Sequence, residues 1–531
     1  MLKHPSRLFY VVLAMGWAFD FLFWKKTPGI SFAIFVILCL LTGFALSYGE
    51  NLRPARTSLV LLIPLAFFVG MTFVRLEPFS LFLSYLLTFC LMTLLTHTFL
   101  GGRWFFYGFI DHIWGFLQLS WSTLSRSAIY RAQTRPYKDV AVENLGKTAT
   151  IRQCLLPILR GLALALPVVV IFAALLASAD IVFSHRLQSF ITLFRIEKLP
   201  EYIFRIFYIL VVAYLLGGVY LHALLASSDQ RLASSGKSLV PRFLGFSEAL
   251  IVLGCVDLLF AFFVGIQFRY FFGGQTNIAV EGFTYAEYAR RGFGELVFVA
   301  LFSLLLFLGL SIITRRTTTS QSRLFSGLGV TLVLLVAVIL ASAYQRLLLY
   351  EQAYGFTRLR TYTHVFMVWV GVILLVVVML ELTNQLRFIT LAGLVSTLGF
   401  GISLNLINVD AFIVDQNVVR AVAGEQLDTA YLSTLSFDAV PVLVDLFQKP
   451  GLPEDVHTDI GAVLACQTAR LESNGKMSWQ SFHLARYTAQ KLLQAHETEL
   501  SIYPVKMDHY KLLDINTRGQ WRHCWAGGVI E

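Results

Sequence analysis

The chain has 531 residues, 57% of them hydrophobic and 14% charged, with a formal net charge of +10. Soluble domains carry charge on roughly a quarter of their residues, so an ordinary soluble class is excluded. The excess of Lys and Arg does not point to nucleic acid either. It falls in short stretches between apolar runs, where basic residues set membrane orientation and meet anionic headgroups.

The apolar residues form long uncharged runs, as at 27–49, 296–314, 324–345 and 388–409, each of at least 19 residues. At about 1.5 Å per residue, such a run crosses a hydrocarbon core as a helix. In chain order the pattern predicts spans at 8–24, 30–48, 58–74, 78–100, 162–183, 203–224, 248–271, 296–313, 324–344, 364–382 and 389–406. The predicted fold class is therefore all-α. It is a polytopic transmembrane bundle of about 11 spans (residues 1–406) followed by a small C-terminal α-helical soluble segment (407–531). Lys3 and Arg7 precede the first apolar stretch, which lacks a small-residue cleavage site and reads as a span. Asp20 is expected to be solvated near the end of that span.

With the N-terminus cytoplasmic, the inside segments carry 19 basic residues and the outside loops 11, leaving out the C-terminal tail. The connection 101–161 supplies most of that bias, with Arg103, Arg126, Arg131, Arg135, Lys138, Lys147, Arg152 and Arg160. The expected topology is N-in and C-out. Residues 104–121 are dense in Trp, Phe and Tyr, which suits the headgroup level. Leu187, Phe190, Ile191 and Phe194 follow helical spacing beside Arg186, Arg195 and Lys198, as in a surface-lying amphipathic helix.

After residue 406 the pattern becomes that of shorter helices at 411–422, 427–435, 438–448, 455–471 and 479–496, broken by Gly, Pro and Asn. Cys39, Cys90 and Cys255 lie inside spans as small apolar residues. Only Cys466 and Cys524 could pair outside a cell, and their separation does not decide whether they do. No zinc-ligand cluster, P-loop or dinucleotide fingerprint appears, so neither a metal nor a cofactor is expected.

Three features carry possible chemistry. Asp257 lies near the centre of the seventh span, where a carboxylate needs a partner or a wet cavity. A proton relay, an ion site and a protonated Asp bonding across helices all fit. Between spans seven and eight, Thr284 and Glu287 have capping-box spacing, with Tyr285, Arg290 and Arg291 close by. Ordinary surface ion pairs ahead of a helix are the plain alternative. Between spans nine and ten, Gly355 can end one helix and Thr357 can cap the next. That places Arg358, Arg360, Tyr362 and His364 in the first turns of a helix, where cations are disfavoured unless an anion joins them. An anion pocket is one reading. Snorkelling to lipid phosphate or pairing with Glu351 is the other.

The run Tyr354-Gly-Phe-Thr-Arg-Leu-Arg-Thr-Tyr-Thr-His-Val-Phe366, with residues 284–293, 408–412 and 427–441, resembles a bacterial multi-pass family. That family is catalogued as a domain of unknown function, of the 4153/4173 type. The resemblance covers mainly residues 245–450, and the chain departs from it at Val409, where the family has proline. It implies a bacterial inner membrane and supplies no catalytic assignment. Three functions follow as expectations. The first is an envelope protein binding or processing an anionic, lipid-linked substrate at the outer face, through Arg290, Arg291, Arg358, Arg360, His364, Tyr285 and Tyr362. Glu287, Glu351 and His364 are its candidate acid–base groups. The second is a transporter using Asp257. The third is a sensor or scaffold whose C-terminal segment receives an envelope protein. Membrane lipids are the expected common partner, and nucleic acid is not.

Overall fold

The structure is a computed structural model. It describes residues 3–134, 198–227, 242–272, 293–473, 477–507, 513–517 and 520–524, together with Gly475 and part of 165–186. The long apolar runs become helices because a buried or lipid-facing backbone must satisfy its own N–H and C=O groups. The first are α1 (Pro5–Phe23), α2 (Ile30–Gly49), α3 (Arg56–Leu59), α4 (Leu62–Val74), α5 (Pro78–His97) and α6 (Phe109–Thr134). They are followed by α7 (Leu199–Leu225), α8 (Phe246–Phe272), α9 (Phe293–Ile313), α10 (Thr319–Tyr354), α11 (Arg358–Leu382) and α12 (Ile389–Ile407).

Ten helical segments among the described residues are long and apolar enough to cross a membrane. They correspond to the predicted spans, except that the one at 162–183 lies largely outside the described residues. The all-α polytopic bundle stands. In the aromatic stretch, Trp104 and Tyr107 are buried while Phe109, Trp114 and Trp121 are exposed. The amphipathic segment at 187–194 lies outside the described residues. At its 36 residues, α10 is about 54 Å long, well beyond a hydrocarbon core.

The chain divides into two compact units, one of residues 1–3, 22–120 and 222–531 and one of residues 4–21 and 121–221. Within the smaller unit Asp20 is buried and paired, where solvation was expected. Arg205 on α7 donates to both of its carboxylate oxygens, with Nε 3.0 Å from Oδ1. A carboxylate removed from water needs such a partner.

Two large hydrophobic cores stand out among the described residues of the larger unit. One joins α8, α9, α10 and α11 through Leu253, Phe307, Phe325, Leu332 and Leu374. There α9 and α10 approach closely because Gly329 has no side chain. A Cβ at that position would lie 2.1 Å from the Phe307 ring. The other core begins with Leu61, Leu65 and Phe68 among α2, α4 and α5 and runs without a break into the C-terminal segment.

That segment comprises α13 (Val409–Val422), α14 (Thr429–Ser433), α15 (Val440–Phe447), α16 (Glu454–Ser473), α17 (Leu484–Ala495) and α18 (Glu497–Leu500). Its Ile413, Val440, Leu443 and Ile460 complete the second core. An antiparallel sheet, which helical periodicity did not anticipate, follows: β1 (Val505–Met507), β2 (Leu513–Thr517) and β3 (Gln520–Cys524). Val505 pairs with Ile515, and Leu513 with Cys524. A Cys466–Cys524 disulfide fastens this sheet to α16. Among the described residues, Cys39, Cys90 and Cys255 form no disulfide.

Candidate functional site

The densest buried polar cluster lies where the C-terminal segment meets the ends of the spans. It begins at Glu77, immediately before Pro78. Proline suits the first helical position, where its missing N–H costs nothing. Glu77 caps α5 by accepting from the Phe79 and Ser80 amides at 3.0 and 2.7 Å. The same buried carboxylate accepts the Tyr362 hydroxyl and lies 4.0 Å from Arg358 Nε.

Arg358 opens α11. Its guanidinium grips Asp410 with two hydrogen bonds of 2.7 Å, from Nε to Oδ1 and from a terminal nitrogen to Oδ2. Planar fork-to-carboxylate pairing of this kind is the strongest that arginine makes. Asp410 is fully buried and also accepts the Ser436 amide at 2.7 Å. The backbone N–H of Arg358 donates to the Tyr431 hydroxyl at 2.8 Å. Thr357 does occupy the N-cap position, but its side chain makes no capping bond.

Asp438 closes the cluster from the other side. It accepts the Leu76 and Glu77 amides at 2.6 and 2.7 Å and lies 3.7 Å from Arg75. Burial pushes its carboxyl up, against the downward pull of the Leu76 amide and Arg75. Arg470 donates to the Leu435 carbonyl at 2.9 Å, within electrostatic reach of Arg358 and Asp410. Arg75 and Arg358 thus meet three carboxylates (77, 410 and 438), with Arg470 held close by on a backbone carbonyl.

Two further contacts hold the C-terminal segment to the same face. Asn417 on α13 brackets Phe356, accepting its amide and donating to its carbonyl, each at 2.9 Å. The neighbouring Gly355 has φ +80°, and a Cβ there would strike Asn417 and Arg420, so glycine is required twice over. At the loop before α2, Ile30 donates to the Phe482 carbonyl at 3.0 Å and Ser481 to that of Thr27 at 2.7 Å. His483 Nε2 lies 3.1 Å from the Pro28 carbonyl. Burial, foremost, lowers the His483 pKa, since a charged ring there would bury an Nδ1–H that faces no acceptor among the described residues.

The sequence candidates are distributed as follows. Arg358 and Tyr362 belong to the cluster. Arg360 turns aside, donating to the Gly355 carbonyl with its guanidinium 4.1 Å over the Tyr350 ring. His364 lies 3.2 Å from Glu351. Asp257 is buried within the bundle, and neither of its oxygens has a hydrogen-bond partner among the described residues. Tyr285, Glu287, Arg290 and Arg291 lie outside the described residues. No group of three or more His, Cys, Asp or Glu suited to a metal occurs among those described. Glu77, Asp410 and Asp438 were not singled out from sequence. The Glu77-Pro78 step is a legible helix start, but Asp410 stands 52 residues from Arg358, and Tyr362 stands 285 from Glu77.

The fold and this junction define a class: a polytopic helical membrane protein whose C-terminal segment packs on the ends of its spans. The chain belongs to the family described as domain of unknown function DUF4153, whose model matches residues 62–446. That range includes every residue of the cluster except Arg470. No curated protein and no solved structure matches the chain.

Replacing Arg358 with Ala leaves Asp410 buried without its counter-charge, a change worth about 3–5 kcal/mol. Thermal unfolding in detergent should show that loss. The double variant R358A/D410A should lose less than the sum of the two single changes, and additivity would show that the pair is not coupled.

The His483 contact predicts a pH effect of definite sign. Its folded pKa is lowered, so below the ordinary value of about 6.5 the unfolded chain binds a proton that the folded one refuses. Stability is therefore full above that value and falls as the pH drops through the lowered one. His483→Gln, which keeps a donor for Pro28, should flatten the slope in that window in melting curves taken from neutral to acidic pH.

Proposed function

We propose that this is a bacterial inner-membrane envelope protein of the sensor or scaffold type, whose C-terminal domain stands on the extracytoplasmic face and is coupled to the span bundle. The observation that carries this is the bidentate Arg358–Asp410 pair inside a charge-balanced cluster. A load or a partner acting on α13–α15 bears directly on the first turn of α11. The anion-handling reading draws on Arg290 and Arg291, outside the described residues, and on Arg358, which Asp410 already engages. It is the weaker of the two on the described geometry.

Two contacts within the larger unit support the span count. Glu77 and Arg358 meet, so they share a face, yet five of the ten spans separate them. Leu100 donates to Ser227, and one span separates that pair. Both contacts are in keeping with the eleven spans expected from the sequence. The disulfide supports the side. Structural disulfides persist in oxidising compartments, and Cys466–Cys524 belongs to the domain that touches the loops at 27–30, 75–77 and 354–358.

Hydrogen exchange on the full chain in lipid nanodiscs tests the coupling. Asp410→Asn should raise exchange both in residues 409–447 and in the first turns of α11. A rise confined to 409–447 would end the coupling reading. Orientation is tested separately with a variant retaining only Cys466 and Cys524. In intact spheroplasts a membrane-impermeant reductant followed by an impermeant maleimide should label both thiols. Labelling only after lysis would place the domain in the cytoplasm.

A further inference from the structure

Glu351 lies in the last turn of α10, completely buried, and neither carboxylate oxygen accepts an aligned hydrogen bond among the described residues. Nδ1 of His364 on α11 lies 3.2 Å from Oε2. The other ring nitrogen of His364 is also buried and has no partner among those residues. The Tyr344 ring lies against the imidazole, with centroids 4.6 Å apart.

The charged groups on the surrounding elements are occupied elsewhere. Arg346 on α10 donates to Gln267 of α8 at 3.0 Å. Arg360 on α11 takes the Gly355 carbonyl and the face of Tyr350. Arg420 on α13 donates to the Gln352 carbonyl at 2.9 Å. None of them donates to Glu351.

A carboxylate cut off from both water and donors is strongly disfavoured. With Glu351 ionised and His364 neutral, the pair would bury one uncompensated negative charge. One added proton, on Oε2 or on Nδ1, cancels that charge. We infer that Glu351 and His364 form a proton-binding site, holding one proton between carboxylate and imidazole at the junction end of the bundle.

The site is independent of the ion cluster but adjoins it. The Gly355 amide donates to the Glu351 carbonyl at 2.8 Å, and His364 lies two residues beyond Tyr362, which reaches Glu77. Proton occupancy therefore bears on the same α10–α11 hairpin that the C-terminal domain grips. The coupling experiment above reads Asp410, so failure of either proposal is distinguishable from failure of the other.

The test is a potentiometric titration of the full-length protein in nanodiscs. Glu351→Gln should take up one proton fewer per chain than wild type, and an unchanged count overturns the site. His364→Gln supplies a second arm should the Glu351→Gln change unsettle the fold. With the imidazole gone, the proton can rest only on Glu351. The carboxylic-acid C=O absorption in the infrared should then differ in intensity or position from wild type. An identical spectrum would show that His364 never shared the proton. Asp257→Asn serves as a control and should leave the His364-dependent difference in place.

Discussion

The ion pair between Arg358 and Asp410 is the constraint from which the junction follows. Neither group is tolerable alone in that position. A guanidinium in the first turn of α11 faces the positive end of the helix dipole, and a fully buried carboxylate has lost its water. Each removes the other's penalty only in good geometry, and two 2.7 Å bonds supply it. Their directions fix α13 against α11. Asp438 then fixes the residues ahead of α5 through the Leu76 and Glu77 amides. Four separate stretches of chain are thereby held in one register, where apolar packing alone would tolerate sliding.

Apolar packing and the polar cluster have different tasks here. The core that starts at Leu61, Leu65 and Phe68 passes directly to Ile413, Leu443 and Ile460. Attraction between these surfaces is large and non-directional. It accounts for the C-terminal segment staying on the bundle and says little about its angle. Ion pairs of this burial contribute little net stability against an apolar replacement, and their attested use is in specifying register. The cluster supplies the angle.

The spans were legible because lipid imposes one rule on every crossing: about twenty apolar residues with internally satisfied backbone. The helix break at Gly355 was legible for a similarly local reason, its positive φ. Partners were not. Arginines at 358 and 360 look alike in sequence, yet one meets Asp410 and the other covers Tyr350. Which does which depends on helix rotation and on residues 52 positions away. Asp20 misled for the same reason, since its counter-charge, Arg205, is 185 residues distant. The sheet at 505–524 escaped because its strands are only three to five residues long. Alternation over so few positions is no signal.

The reasoning that made an external anion attractive at the start of α11 is satisfied from within. A cation at a helix N-terminus calls for a negative partner, and Asp410 is that partner. Tyr431 already takes the Arg358 amide that a bound phosphate would use. An anionic ligand could reach Arg358 only by displacing Asp410, which would leave a buried carboxylate unpaired and loosen α13 from α11. Ligand binding there and domain docking would then be mutually exclusive, each weakening the other by the same factor.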